Sequence, residues 1–538
     1  MRITERADSR RLSRADFLRL SGLTATAVLL GTGELQSGRA YAAPSFAADP
    51  FSLGVASGDP EHNSVVLWTR LAPEPLAADG HGGMPPDPVT VRYEVATDHG
   101  FHHVVHDGAV EATAELGHSV HAEVRGLRPG YEYFYRFKAG ADTSCVGRTR
   151  TTQVGHVDSL RFALASCQRW QDGFYTAHAE IAEQDLDLVV FVGDYIYENG
   201  IGPAGGMRRQ PLPLHFRDDC RTLDRYRCQY GLYRSDKDLQ AAHAAHPWIA
   251  TWDDHEVDDN YAGLNPIKVE ETAGFPLRRA AGYQAYYEHM PLRRSSVPAG
   301  PDLQLYRTVE FGRLAEFQLL DGRQHRSDQV CPDDGPSLPC PESFDPSRTM
   351  LGVEQEAWLL DGLRRSHATW NVLAQQVIMC RADRAPGPEL RTSMDNWNGY
   401  SPARQRLFDG VAERDVENLV VLTGDAHCSL AANLRQQYDD PESPVIGSEI
   451  VGTSVSSGSN GADVDARGRE FLASNPHMAF YNARRGYARC SVTRDQWRTE
   501  FRAVPSVTVR DVELSTIASF VSEAGVPGLQ GDAVVPPT

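Results

Sequence analysis

The sequence predicts an α/β protein in which an N-terminal β-sandwich precedes a larger α/β domain. Three observations predict this organisation. Short alternating strands with Gly, Pro and Asp punctuation fill residues 51–152. After residue 159, apolar runs typical of buried strands alternate with amphipathic helices. Several of those later runs end in side chains that can bind metals or move protons. At 538 residues the chain is long enough for two or three domains.

The composition is that of an ordinary globular protein with an acidic surface. Hydrophobic residues make up 41% of the chain and charged residues 23%, with a formal net charge of -19. This charge argues against nucleic acid or an anionic membrane as the main partner. It does not exclude an anionic substrate, because bound metal ions dominate the local charge of a site.

Residues 1–42 have the pattern of an export signal. Several arginines precede an apolar stretch over 20–30, and Ala40-Tyr41-Ala42 offers a cleavage site, so we expect cleavage near Ala42. The Arg10-Arg11 pair favours the twin-arginine export machinery over general secretion, although the residues that follow match its motif imperfectly. We therefore predict a secreted, extracellular or periplasmic protein. No later run approaches the roughly 20 apolar residues of a membrane helix.

Residues 43–153 are predicted to form a fibronectin/Ig-like β-sandwich. Strand-like segments occur at 65–68, 89–95 and 131–137. The spacing of Leu127, Pro129, Gly130 and Tyr133 resembles the tyrosine-corner turn of fibronectin-like sandwiches. We expect this domain to have a structural role.

Residues 154–522 are predicted to form the catalytic domain, and 523–538 a loose C-terminal tail. Five apolar runs each deliver reactive side chains at their carboxyl ends, which is where ligands bind in open α/β sheets. A single strand end of this kind is weak evidence. Five together indicate a polynuclear metal site, with Asp194 as a candidate bridging ligand. The five runs are 160–165 before Cys167, 186–192 before Asp194 and Tyr197, 247–252 before Asp253-Asp254-His255, 314–320 before Asp321 and Arg323, and 416–422 before Asp425 and His427.

Four motifs in this order resemble the PhoD family of alkaline phosphatases. They are A-S-C-Q (165–168), G-D-Y-I-Y-E (193–198), W-D-D-H-E-V (252–257) and T-G-D-A-H (423–427). Further matches at 57–70, 350–359 and 451–458 extend the resemblance over nearly the whole mature chain. The resemblance implies a metallophosphoesterase-like α/β sandwich after the N-terminal domain, and hydrolysis of phosphate esters.

The resemblance also implies two kinds of metal ion, Fe3+ and Ca2+. The D-x-x-Y spacing of Asp194 and Tyr197 suits trivalent iron, which a phenolate stabilises, and hard oxygen donors suit calcium. The implied iron ligands are Cys167, Asp194, Tyr197 and His427. The implied calcium ligands are Asp194, Asn260, Asp425 and one aspartate of the Asp253-Asp254 pair.

Two ligand positions stay open at this point. We predict Asp254 rather than Asp253, because related metallophosphoesterases place a ligand just before the histidine of this loop. We predict Asn260 rather than Asp259, although relatives vary at both positions. Whether one or two calcium ions are bound also stays open.

Two residues are predicted to act on the substrate. His255 is expected to contact the transition state or the leaving group, with a supporting position behind the ligands as the alternative. Arg323 is expected to hold phosphate oxygens, with a structural pair to Asp321 as the alternative. No serine nucleophile is expected, since Ser166 lacks a G-x-S-x-G context.

The predicted function is a secreted metal-dependent phosphohydrolase, an alkaline phosphatase or phosphodiesterase, in which a metal-activated water or oxide attacks phosphate mono- or diesters. Small phosphate esters, phospholipid head groups and teichoic-acid-like polymers all remain open as substrates. Two alternatives are kept. One is a purple-acid-phosphatase-like enzyme with two transition metals, which Cys167 and Asp425 disfavour. The other is a non-catalytic secreted protein that metals only stabilise.

Nine cysteines leave the disulfide pattern open. Cys331 and Cys340 flank a loop rich in Pro, Asp and Gly, and we predict a local disulfide there. Cys220 and Cys228 could pair in the same way across a short segment. An exported location makes such bonds plausible.

Overall fold

The computed structural model of the chain describes residues 44–331 and 336–534; the predicted export signal lies outside this part. The strands of the described residues are β1 (Val55–Gly58), β2 (Ser64–Arg70), β3 (Val89–Ala96), β4 (Val104–Ala112), β5 (Ser119–Arg125), β6 (Glu132–Ala139), β7 (Asp142–Thr143), β8 (Gly147–Arg150), β9 (Ser159–Ala165), β10 (Leu188–Val192), β11 (Pro247–Thr251), β12 (Arg307–Phe311), β13 (Ala315–Leu319), β14 (Trp370–Ala374), β15 (Leu419–Thr423), β16 (Ser429–Arg435), β17 (Val445–Val451), β18 (Met478–Asn482), β19 (Gly486–Thr493), β20 (Gln496–Ala503), β21 (Ser515–Glu523) and β22 (Gln530–Val534).

Helices lie mainly between the strands of the larger domain. They are α1 (Thr176–Glu183), α2 (Leu223–Arg234), α3 (Lys237–Ala245), α4 (Phe275–His289), α5 (Gly352–Arg365), α6 (Ser401–Glu413) and α7 (Ala466–Ser474). The amphipathic pattern explains their packing. In α5, for example, Leu359 and Leu363 are four residues apart and both buried, while the arginines of its last turn are exposed.

Two large sheets pack face to face. One has ten strands in the order β22-β21-β20-β19-β9-β10-β11-β1-β2-β5, and the other has seven in the order β12-β13-β14-β15-β17-β16-β18. Phe162 on β9 meets Phe317 on β13 edge to face at 5.5 Å between ring centroids, and Trp370 meets Trp497 at 5.7 Å. Aromatic pairs of this kind anchor the core between the sheets.

Helices cover the outer face of each sheet, which completes four layers. Ile181 of α1 and Leu239 of α3 pack on the ten-stranded sheet. Leu359 of α5 and Leu407 of α6 pack on the seven-stranded sheet. Strands covered on both faces are apolar throughout, as in Leu188–Val192 (LVVFV), where every residue is buried. The prediction of an α/β sandwich is confirmed.

The N-terminal part is a β-sandwich, but one of its sheets belongs to the larger domain. Strands β3, β4, β6, β7 and β8 form a separate sheet that packs on β2 and β5. The tyrosine corner is present, since the backbone N–H of Arg128 donates to the hydroxyl of Tyr133 at 2.8 Å. Strand β1 pairs in parallel with β11, with Ser57 opposite Pro247.

Glycine is required where these two parts meet. A Cβ on Gly58 would lie 2.5 Å from the carbonyl oxygen of Pro291 and 2.8 Å from that of Trp248. The sequence pattern did not indicate this continuous sheet, because the pairing joins strands far apart in the chain.

Two predictions are corrected by the structure. The segment predicted as a loose tail contains β22, which pairs with β21 as the edge of the ten-stranded sheet. Pairing with β22 satisfies backbone N–H and C=O groups of β21 that would otherwise face solvent. The suggested bond between Cys220 and Cys228 is absent, because the two buried thiols face different carbonyl oxygens, those of Arg225 and Ala77.

The disulfide between Cys331 and Cys340 is confirmed. Within 44–331 and 336–534, no helix combines the length and the apolar character needed to cross a membrane.

Candidate active site

The predicted strand ends meet at one edge of the sandwich. Strands β9, β10 and β11 run parallel in the ten-stranded sheet, and β15 runs parallel to β14 and β17 in the other. The loops that follow touch, since a Cβ on Gly424 would lie 2.9 Å from the side chain of Ser166 and from the carbonyl oxygen of Val192. Side chains from both sheets therefore reach one site.

The backbone of this site is strained. Several side chains predicted as ligands sit on residues in the left-handed conformation, which costs L-amino acids roughly 1 kcal/mol each. Such conformations persist where the surroundings enforce them, and they concentrate at functional sites. The residues are Cys167 (φ 58°), Asp194 (58°), Asn260 (54°), Asp425 (55°) and His427 (51°).

The four predicted iron ligands lie together. Donor atoms of Cys167, Asp194 and His427 are all within 4.8 Å of one another. The hydroxyl of Tyr197 donates to Oδ2 of Asp194 at 2.7 Å and lies 2.9 Å from Nε2 of His427. We call these four residues the first cluster. It combines a thiol, a carboxyl, a phenol and an imidazole, all of them buried or largely buried.

Two further groups of possible ligands share a residue with each other, and one of them also shares a residue with the first cluster. One contains Asp194, Asp254 and His255, and the other contains Asp253, Asp254 and Asp425. We call Asp253, Asp254 and Asp425 the carboxylate cluster. Asp194 belongs both to the first cluster and to the group with Asp254 and His255, as expected of a bridging ligand, and Asp254 links that group to the carboxylate cluster.

Buried oxygens without a hydrogen-bond partner support cation binding. In the part of the chain that the structure describes, Oδ1 of Asp194, Oδ1 of Asp254 and Oδ2 of Asp253 are inaccessible to solvent and accept no hydrogen bond. A buried carboxylate oxygen without a partner is costly. The other oxygen of Asp253 accepts from Arg323, whereas Oδ2 of Asp254 accepts from the backbone N–H of Asn260 at 2.7 Å. Both aspartates therefore face the site with one free oxygen.

The raised pKa values of the candidate ligands indicate that bound cations are needed to keep these side chains deprotonated. Burial, together with neighbouring aspartates, raises the pKa of Asp194 and of Asp425 well above the usual range. Burial followed by the charge of Asp194 raises the pKa of the Cys167 thiol and of the Tyr197 phenol. Ligands bind metals in their deprotonated forms, which only cations would stabilise in such a site.

His427 is held neutral, as a metal ligand must be. Burial and then the nearby Arg485 and Arg467 lower the pKa of His427 to about 3. The guanidinium of Arg485 donates to the carbonyl oxygen of His427 at 2.6 Å, which fixes the loop after β15. The residues of the site therefore fit bound metal ions.

Asn260 lies beside the carboxylate cluster. With its amide nitrogen facing Asp395, Asn260 donates to the two carboxylate oxygens at 3.2 and 3.3 Å. The side chain of the alternative, Asp259, is 64% exposed, and its Oδ1 lies 3.9 Å from Nε2 of His255. Asn260 thus contacts a candidate calcium ligand directly, because its backbone N–H donates to Asp254. Asp259 lies at the exposed mouth of the site.

His255 is oriented by a carboxylate. Its Nδ1 lies 2.7 Å from Oε2 of Glu198, and its ring packs on Tyr197 with 4.1 Å between centroids. Burial alone would lower the pKa of His255, but Asp254, Glu198 and Asp194 outweigh it and raise the pKa well above its ordinary value. The side chain is 17% exposed, so it keeps access to the mouth.

Arg323 lies beneath the carboxylates. Its side chain is fully buried; Nε donates to Asp253 and Nη1 donates to Asp395 at 2.7 Å. The predicted alternative, a side-chain pair with Asp321, is wrong, because Arg323 donates to Asp321 only through its backbone N–H, at 3.0 Å. The remaining guanidinium nitrogen of Arg323, Nη2, lies 3.5 Å from Asp254 and 3.8 Å from Asp425. This position favours balancing the charge of the cluster over contact with a phosphate.

Family models match both parts of the chain. The PhoD-like phosphatase model matches residues 162–501, and the model of the PhoD-like phosphatase N-terminal domain matches residues 36–153. The chain belongs to the PhoD-like phosphatase family. It is 48% identical over 495 residues to alkaline phosphatase D of Bacillus subtilis (strain 168), and the matched region covers 91% of this chain and 83% of the relative. A solved structure described as the structure of PhoD superposes with a TM-score of 0.87 at 48% identity and covers 91% of this chain and 93% of that one.

Membership of the PhoD-like phosphatase family makes the chain a phosphoric ester hydrolase, and the resemblance stated from the sequence motifs is confirmed. The alternative of a non-catalytic binding protein is thereby excluded.

Three residues of this PhoD-like phosphatase were not predicted from the sequence. Glu198 follows Tyr197 in a motif that did point to the site, but its contact with His255 depends on the fold. Asp395 stands on a loop with no apolar run before it, and Arg326 lies in the loop after β13, three residues beyond the predicted Arg323. Asp395 accepts from Arg323, from Arg326 at 2.7 Å and from Gln329 at 2.8 Å. Only the convergence of these donors marks it as part of the site.

Proposed function

We propose that this PhoD-like phosphatase is an exported enzyme that hydrolyses phosphate mono- and diesters with Fe3+ in its first cluster and Ca2+ in its carboxylate cluster. The observation that carries the proposal is the difference in donor chemistry between two adjoining clusters. A thiol, a phenol and an imidazole stand on one side of Asp194, and carboxylates stand on the other.

The first cluster suits a transition metal. Thiolate and imidazole are ligands of iron, zinc and copper rather than of calcium or magnesium. Tyr197 adds a phenolate, which favours the trivalent state of iron. Purple-acid-type sites usually have Asp and His where this chain has Cys167 and Asp425, which speaks against two identical transition metals.

The carboxylate cluster suits calcium. Asp253, Asp254 and Asp425 offer only oxygen donors, two of them without a hydrogen-bond partner, and hard cations prefer such donors. Asn260, whose backbone N–H donates to Asp254 at 2.7 Å, could add an amide oxygen. Asp194 would be shared between the two kinds of ion.

The catalytic roles follow from position and charge. Bound in these clusters, the cations would polarise the phosphoryl oxygens and lower the pKa of an attacking water. His255, held by Glu198 and open to the mouth, donates a proton to the oxygen of the departing alcohol. Arg323 and Arg326, through Asp395, keep the carboxylates in place and offset their charge.

The substrates are phosphate esters, in keeping with the family and with the name of the Bacillus subtilis relative. Within that class, phospholipid head groups and teichoic-acid-like polymers stay candidates beside small esters. Export by the twin-arginine route, predicted from Arg10 and Arg11, would let the protein fold and take up metals before it crosses the membrane.

Elemental analysis of protein exported by its native host tests the metal assignment. We expect about one iron and one or two calcium ions per chain. Two zinc, manganese or iron ions without calcium would replace the proposal with a purple-acid-type centre. Assays with 4-nitrophenyl phosphate and bis(4-nitrophenyl) phosphate on the same preparation test the two ester classes.

A further inference from the structure

Arg169 stands at the mouth of the site, two residues after Cys167. Its backbone is fixed from both sides. The N–H donates to Oγ of Ser457 at 2.9 Å, and the carbonyl oxygen accepts from Oγ of Ser456 at 2.9 Å. Ser457 also donates to the carbonyl oxygen of Cys167 at 2.7 Å. Arg169 is therefore held to the same backbone as a ligand of the first cluster.

The guanidinium of Arg169 packs over the ring of Tyr197. Its central carbon lies 5.4 Å from the centroid of the Tyr197 ring. One long hydrogen bond, 3.4 Å from Nη2 to Oδ1 of Asn199, ties down its end. Its Nε is buried without a hydrogen-bond partner among the described residues. The side chain is half-buried at the edge of the first cluster, and its N–H donors are not all used in hydrogen bonds within the described residues.

Other arginines around the site make most of their hydrogen bonds to protein acceptors, although Nη2 of Arg323 and Nε of Arg326 have no hydrogen-bond partner among the described residues. Arg323 and Arg326 are paired with Asp395, and Arg485 donates to the carbonyl oxygens of His427 and Ser459. Arg169, by contrast, has only the one long side-chain hydrogen bond to Asn199, and among the described residues it forms no ion pair with a carboxylate. A half-buried cation without a counter-charge is costly, unless an anion binds to it in the working enzyme.

We propose that Arg169 binds a non-bridging oxygen of the phosphate that is hydrolysed, and that it thereby favours monoesters over diesters. The inference rests on the proposed function, in which the phosphate sits on the two clusters beside Tyr197. A phosphate group is the anion that this site receives, and arginine offers planar, paired donors that match phosphate oxygens.

The preference for monoesters follows from charge. Above neutral pH a phosphate monoester carries nearly two negative charges, whereas a diester carries one. Coulomb attraction to a fixed cation grows with the charge of the anion. The loss of Arg169 should therefore cost more with a monoester than with a diester.

The test compares Arg169→Gln and Arg169→Lys with the unaltered holoenzyme. The substrates are 4-nitrophenyl phosphate and bis(4-nitrophenyl) phosphate, with inorganic phosphate as an inhibitor. We expect R169Q to lower kcat/KM for the monoester by roughly 10- to 100-fold and for the diester by less than about 5-fold. The inhibition constant of phosphate should rise in step with the monoester loss, and R169K should recover part of it.

Arg128 supplies a matched control. Its guanidinium also lies over a tyrosine, 5.7 Å from the ring centroid of Tyr131, but in the N-terminal sandwich. Arg128→Gln should change neither ester by more than about 2-fold, since surface substitutions away from a site have small effects.

Any of three results would overturn the inference. Equal losses on both esters, or none, would remove the charge argument. Loss of iron from R169Q would show that Arg169 only supports the first cluster. Elemental analysis of the unaltered enzyme tests the proposed iron and calcium separately. Calorimetric titration of inorganic phosphate into both holoenzymes tests Arg169 whichever metals they contain.

Discussion

Oε2 of Glu198 lies 2.7 Å from Nδ1 of His255, so that a carboxylate fixes the imidazole at the mouth of the site. The same Glu198 accepts from the backbone N–H of Asp259 at 3.2 Å through its other oxygen. One side chain thus ties the loop after β11 to the loop after β10. A histidine held in this way can deliver a proton in a fixed direction.

Replacing Glu198 by Gln should slow the release of poor leaving groups. We expect kcat to fall by roughly 100-fold with an alkyl phosphate, because His255 is then less well oriented and less stabilised as a cation. With 4-nitrophenyl phosphate the loss should stay under about 10-fold, since 4-nitrophenolate leaves without a proton. Steady-state kinetics on the two esters check this.

Glu132→Gln serves as the control for Glu198. Glu132 also pairs with a cation, Arg148 at 2.6 Å, but in the N-terminal sandwich. An equal loss on both leaving groups in E198Q would contradict a proton-donating role for His255.

Removing the Cys167 thiol should empty the first cluster selectively. In Cys167→Ala we expect iron per chain to fall at least about 10-fold while calcium is retained, because the carboxylate cluster does not use the thiol. Cys428→Ala is the matched control, since this buried thiol follows His427 directly and belongs to none of the possible ligand groups among the described residues. Iron retained in C167A would refute the assignment of the thiol as a ligand.

Asp395→Asn should destabilise the protein. The change leaves Arg326 without its carboxylate and Arg323 with one fewer, and breaking a buried ion pair costs about 3 kcal/mol. Urea unfolding monitored by tryptophan fluorescence measures the difference. Asp361→Asn is the control, because Asp361 pairs with Arg364 and Arg365 on the exposed face of α5. An unchanged midpoint in D395N would contradict the structural role of Asp395.

Acid should weaken the fold between pH 6.5 and pH 4. Burial is the first cause that lowers the pKa of several histidines to about 4, whereas the unfolded chain titrates near 6.5. As the pH falls, the unfolded state takes up protons that the folded state refuses. The free energy of unfolding then drops by up to about 1.4 kcal/mol per pH unit for each histidine, and levels off below pH 4. The histidines are His121, His178, His246 and His477.

Because metal release in acid would also lower stability, a single variant isolates the histidine part. Nε2 of His477 lies 2.8 Å from the carbonyl oxygen of Arg381, a contact that glutamine can keep by donating. His477→Gln should reduce the slope of unfolding free energy against pH between pH 6 and pH 5. An unchanged slope would show that His477 does not contribute.

The strands and the candidate ligands that follow them could be located from the sequence because both are local signals. Runs such as 186–192 report burial on both faces, and the next residues fall at the carboxyl edge of the sheet by geometry alone. Cys167, Asp194 and His427 therefore follow from the sequence pattern itself. The same strand ends also delivered Tyr197 and Asp425, and the motifs added the expected assignment of these residues to iron and calcium.

What the sequence did not reveal depends on distant contacts. Asp395 reaches the site only because Arg323 and Arg326 turn toward it from another loop. The partner of Arg323 was misjudged for the same reason, since Asp321 is near in the chain but Asp253 is near in space. Strand β22 was missed because Gly and Pro precede it and its apolar content is low.

The ten-stranded sheet also bears on the biosynthesis of the protein. Its strand β1 inserts between β2 and β11, and its edge strand β22 comes from the last residues that the structure describes. The sheet is therefore completed only after residues 530–534 have left the ribosome. Until β19 has been made, β9 presents an open edge, which is prone to pair with other chains. Loss of the segment that carries β19 to β22 would leave this edge of β9 permanently exposed.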